Sequence, residues 1–175
     1  HEKPNMLTAR RIAHIRSCTK IQLVDELREA LADPTVPTGE MWRAYTNVAR
    51  WRESLALLGK LDFRAILGVL RGDGMRIASI DNYECDTPND DQTVEPTAFE
   101  LDHTRHRGQL VVQRIVQVVR DMRLVKKRLP AHEYASLIVV CAYHQEPSAV
   151  EKIFSRRQEA VARAPTPSGV YTGMI

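Results

Sequence analysis

Cysteine is scarce in this chain: Cys18, Cys85 and Cys141 are the only three in 175 residues. An odd number so thinly spread makes no disulfide framework and points to a reducing intracellular setting, cytoplasmic or nuclear. Long apolar runs are missing as well. No window approaches the roughly 18 uninterrupted apolar residues of a spanning helix, so no membrane span is expected. Aromatic residues make up only 6% of the chain, too few to indicate an extended base-stacking platform. There is no Gly-x-x-x-x-Gly-Lys loop, no Gly-x-Ser-x-Gly elbow and no His-Glu-x-x-His helix, and His132-Glu133 stands isolated. No catalytic residue is assigned on this basis, and a non-enzymatic protein without a cofactor is expected. No repeat recurs at solenoid periods. The segment His1–Asn5 has neither the apolar core nor the small-residue cleavage pattern of a signal peptide.

What is present describes a folded protein. Hydrophobic residues are 43% and charged residues 27%, with a formal net charge of +3. Those proportions are ordinary for a globular chain, and the length fits a single helical domain over 1–175. Ile12, Ile15, Val24, Leu27 and Leu31 recur at three- or four-residue steps, interrupted by Ser17-Cys18-Thr19. Thr19 followed by Gln22 has capping-box spacing, so two helices are expected, over 8–17 and 20–32, in preference to one continuous helix. Thr38 offers an N-cap for a helix through Met41, Tyr45, Val48, Leu55 and Leu58, with Gly59 as its left-handed terminator. Asp62 is the expected cap of the next helix, whose apolar side holds Phe63, Ile66, Leu67 and Leu70 before Gly72-Asp73-Gly74 breaks it. Met75–Ile80 is too short a run to separate strand from helix.

The segment 81–97 is rich in acids and proline and contains no lysine or arginine, which reads as an acidic loop. Beyond it comes the most informative pattern in the chain. Val111, Ile115, Val118, Met122, Val125 and Leu129 alternate four- and three-residue steps, and Val112, Val116 and Val119 widen the stripe. This predicts a long central core helix over about 98–129, with Gly108 as the point where its start would bend. Pro130 opens another helix, Ser148 with Glu151 caps the last, and an extended tail occupies 164–175. The fold expected is all-α: a compact bundle of six or seven helices around that central helix.

Charge is distributed unevenly. Between Ile77 and Thr104 there are eight acids and no lysine or arginine, whereas Arg105–Arg128 carries eight cations against Asp121 alone. Basic side chains clustered on a rigid helix displace counterions from phosphates, and arginine adds a forked hydrogen-bonding geometry. The expected partner is therefore nucleic acid, RNA or DNA. Arg120, Arg123, Lys126, Lys127 and Arg128 are assigned as phosphate contacts, assisted by Arg10, Arg11 and Arg16. Arg156, Arg157 and Arg163 form a third basic group. Against this stands the plain explanation that cations at a helix C-terminus simply favour its dipole, or that the acidic loop covers them.

Two pairs suit a metal by spacing: His14 with Cys18, and Cys141 with His144. They match no zinc signature, a buried cysteine beside a partly exposed histidine is the ordinary explanation, and no metal is assigned. His103 and His106 have the spacing of paired ligands, but the adjacent Arg105 and Arg107 oppose a cation. The residues 135–164 give two helices without a convincing glycine turn, a weak case for a helix-turn-helix. The alternative function is a helical scaffold or adaptor that self-associates or docks a protein partner through apolar features such as Trp51 and the tail Val170–Ile175.

Overall fold

A computed structural model describes the backbone of residues 6–83 and 98–162, and the side chains of residues 19–79 and 103–162. Among the described residues there are seven α-helices and no strand: α1 (Met6–Ala32), α2 (Thr38–Ala49), α3 (Arg52–Leu57), α4 (Lys60–Tyr83), α5 (Ala98–Leu124), α6 (Ala131–Tyr143) and α7 (Pro147–Ala162). The all-α bundle read from the sequence is the fold observed.

The stripe that predicts the central helix does bury. Val111, Val112, Ile115, Val118, Val119 and Met122 are all in the core, while Gln113, Arg120 and Arg123 face solvent. Each such apolar side chain contributes about 1.5–3 kcal/mol by leaving water. α5 shares the centre with α4, which supplies Phe63, Ile66, Leu67, Leu70 and Ile77 to the same core. α4 packs along α5, α6 along α7, and α1 along α2 and α3. The chain direction follows from particular contacts. Arg64 of α4 is 2.7 Å from Glu133 at the start of α6, and Gly74 further along α4 meets Val140 and His144 at the end of α6. These two helices are therefore parallel. α5 is antiparallel to α6, because Gly108 in its first half touches His144.

Several boundaries differ from expectation, each for a physical reason. α1 is one uninterrupted helix, not two. Ser17-Cys18-Thr19 contains neither glycine nor proline, and these residues cost only tenths of a kcal/mol in a helix, about 0.5 each. Breaking there would leave two sets of end groups unsatisfied. The helix expected from Thr38 to Leu58 does break, at Arg50-Trp51. Trp51 is extended (φ −121°, ψ 117°). A straight helix would carry Arg52 onto the buried Met41–Tyr45–Val48 stripe, whereas the break exposes Arg52 and still buries Leu55 and Leu58.

Gly59 starts α4 instead of terminating a left-handed turn. Its N–H donates to Asp62 Oδ2 at 2.7 Å and its carbonyl accepts from Phe63 N at 3.3 Å, so Asp62 acts from the third helical position, reaching back as in a capping box. Thr38 is already helical, and Pro37 precedes it in an extended conformation. Gly72-Asp73-Gly74 does not interrupt α4, which continues through Met75–Ile80 to Tyr83. A Cβ on Gly74 would lie 2.6 Å from Val140 Cγ1. The glycine is there for close approach of α6, not for a turn. Gly108 plays the matching part on α5, where the His144 ring lies against it and His144 Nε2–H donates to Gly74 O at 3.0 Å.

Ser148 is likewise inside α7, whose first amides at Ala149 and Val150 bond to Glu146 O. Of the acidic segment, 81–83 belong to α4, and 84–97 lie outside the described residues, as does the tail 163–175. Among the described residues no helix is long and apolar enough to cross a membrane.

Candidate nucleic-acid interface

The central helix stops five residues short of the expected end. After Leu124 the backbone turns: Lys126 adopts φ 57°, Lys126 N–H donates to Arg123 O at 3.1 Å, and Lys127 N–H donates to Met122 O at 2.8 Å. That is a Schellman closing made without glycine. Of the five phosphate contacts assigned to its end, only Arg120 and Arg123 are thus helical, while Lys126, Lys127 and Arg128 stand on the connection to α6. The same motif ends α6, with Gln145 at φ 54° and Glu146 N–H on Cys141 O at 3.1 Å. Glycine is not needed for that turn, although the turn alone does not make α6–α7 a DNA-reading pair.

α7 runs beside α5 in the same direction, bringing its C-terminal half to the end of α5. Arg123, Lys126, Lys127 and Arg128 surround a depression of about 380 Å³ together with Arg156, Glu159 and Tyr134. Tyr134 is buried and its hydroxyl accepts Leu129 N–H at 3.4 Å, so it braces the connection and offers no face for a base. Glu159 is the one carboxylate lining the depression among the described residues, and Arg156 Nη1 donates to both of its oxygens at 2.8 and 2.9 Å. Among the described residues, no carboxylate lies within ion-pair distance of Arg123, Lys126, Lys127 or Arg128.

Arg120 sits apart from this depression. Its Nε is 3.8 Å from Asp121 Oδ1. Asp121 is buried at 5% exposure and its Oδ2 accepts the Tyr45 hydroxyl at 2.9 Å. Burial holds the Asp121 carboxyl above its ordinary range, more than Tyr45, Arg120 and Gln117 pull it down. Arg10, Arg11 and Arg16 lie on the first turns of α1, and their side chains are outside the described residues. The structure thus brings four of the eight assigned residues together and adds Arg156, which the sequence placed in a separate group.

The metal constellation gains no support. Cys141 is buried and its thiol is pushed up to about 11, by burial first and Glu146 second; His144 is engaged with Gly74 O. The side chains of His14 and Cys18 are outside the described residues, among which no three His, Cys, Asp or Glu gather. Trp42 packs against Tyr45 with ring centroids 5.1 Å apart, while Trp51 is 55% exposed. Comparison with protein-family models, curated proteins and solved structures finds no match to the chain.

Proposed function

We propose that the protein is a non-enzymatic binder of nucleic acid, RNA or DNA, gripping phosphates with the cations at the end of α5. The observation that carries this reading is the set of four cations around one depression whose only carboxylate among the described residues is already held by Arg156. Ammonium and guanidinium groups left without an internal counter-charge release condensed counterions when phosphates replace them, and this supplies affinity without base specificity. Arg120, Arg10, Arg11 and Arg16 extend the surface in this reading.

The test is binding of the full chain to a mixed nucleic-acid pool at several salt concentrations. Saturable binding is expected near about 50 mM salt, weakening steeply as salt rises, with the slope reduced by Lys127→Glu. Absence of binding at the lowest salt rejects the proposal. A second reading, a helical scaffold docking a protein or another copy of the chain, is favoured by the exposure of Leu61 (74%) and Trp51. It predicts a self-associated or partner-bound mass in solution, and removal of 165–175 tests the contribution of the tail.

A further inference from the structure

A cavity of about 700 Å³ lies away from the basic depression, between the α1–α2 connection, α4 and α5. That volume is within the range of small-molecule sites. Leu31, Met41, Val69 and Ile77 give it apolar walls, and Gly68 and Gly72, one turn apart on α4, keep its floor low. A Cβ at either glycine would meet nothing within 4 Å.

Its charges do not balance internally. Asp73 is held by Arg76, and Asp33 Oδ1 accepts both the N–H and the hydroxyl of Thr35, at 2.8 and 2.6 Å. Arg107 and Arg114, two turns apart on one face of α5, face only the Asp33 carboxylate as a remaining acid, so the lining carries one excess positive charge. The Arg114 guanidinium lies 5.2 Å above the Trp42 ring, and its Nε is buried without a hydrogen-bond partner. Among the described residues no carboxylate is within 4.0 Å of either arginine. Burial lowers the Arg114 pKa more than the more distant Asp73 raises it. A half-buried cation of this kind is costly unless an anion completes it, and a guanidinium fixed on an aromatic face suits a planar oxyanion.

We propose that this groove binds a small organic oxyanion, a carboxylate or phosphate head on an apolar body, with Arg114 and Arg107 holding the head and the aliphatic walls holding the body. The proposal is independent of the nucleic-acid reading.

Decanoate and decyl phosphate, titrated into the full chain and followed by calorimetry, test it against decanol, which has the tail without the charge. At least one anion should saturate at one site and bind about tenfold or more tighter than decanol, the worth of one charge-assisted pair. The better of the two identifies the head group. Arg114→Met keeps a stem over Trp42 and should lose about that tenfold. Gly72→Leu fills the floor without changing charge and should block the site, which keeps the test decisive should Arg114→Met fold poorly. Equal binding of decanol, no saturable binding of either anion, or unaltered binding by Gly72→Leu overturns the proposal. Nucleic-acid affinity of Gly72→Leu should stay that of the parent, which separates failure here from failure at the basic depression.

Discussion

Lys126 joins backbone geometry and charge in one residue. At φ 57° its Cβ crowds the following carbonyl, a strain on the order of 1 kcal/mol that glycine does not carry. The strain is tolerated because two orphan carbonyls of α5, those of Met122 and Arg123, are satisfied by the turn. Lys126→Gly should therefore raise stability by about 1 kcal/mol, a gain of a few degrees in Tm, while removing one cation from the depression. If that cation touches phosphate, the same variant should bind nucleic acid more weakly and with a shallower salt slope, by about one contact. Gln145→Gly relieves the equivalent strain at the other end of α6 and should leave binding alone. Denaturation curves and binding isotherms at three salt concentrations read both effects. A stabilised Lys126→Gly protein with unaltered affinity would remove this residue from the interface.

Along α4, three glycines have opposite values depending on what lies across from them. Gly68 and Gly72 face open space, whereas Gly74 faces Val140 and Val111. Gly72→Ala should gain about 1 kcal/mol of helix propensity. Gly74→Ala gains the same propensity but must push α6 away or displace His144 from the Gly74 carbonyl, an overpacking cost of about 1–3 kcal/mol, so a net loss is expected. Urea unfolding of the two variants side by side checks the sign difference. The contrast also explains which parts of the elements were legible in the sequence. The α5 stripe was readable because its period reports burial directly, and three apparent caps were misplaced by one to three residues because Ser, Thr and Asp serve several positions at a helix start. Gly-Asp-Gly read as a break because a helical glycine and a turn glycine look alike until the partner helix is known. Lys126 and Gln145 gave no sign of a left-handed turn, since such closings are marked by glycine in most helices.

Over the whole molecule, the uneven charge map survived folding in part. The cations after Met122 do collect at one end, but Arg156 joins them only because α7 runs alongside α5, and no local pattern announces that neighbour. The arginine-lined groove was equally hidden, because Arg107 and Arg114 share a helix face with core residues and the glycines opposite read as turn formers. Asp121, the single acid within the basic run, shows how the interior sets the global response to pH. It links α5 to α2 through the Tyr45 hydroxyl, and burial raises its pKa above the ordinary 3.8. Between those two values the folded chain holds the extra proton, so its contribution to stability falls as pH rises through that window and is constant above it. Asp121→Asn keeps an acceptor for Tyr45 without the buried charge. It should be at least as stable as the parent at neutral pH, with the advantage shrinking as the pH is lowered toward the ordinary carboxylate range. Unfolding free energies of the two proteins at neutral and mildly acidic pH isolate this group, since every other titration cancels in their difference. A variant less stable than the parent at neutral pH, with a deficit that disappears in acid, would mean that the ionised carboxylate earns more from Tyr45, Arg120 and Gln117 than its burial costs.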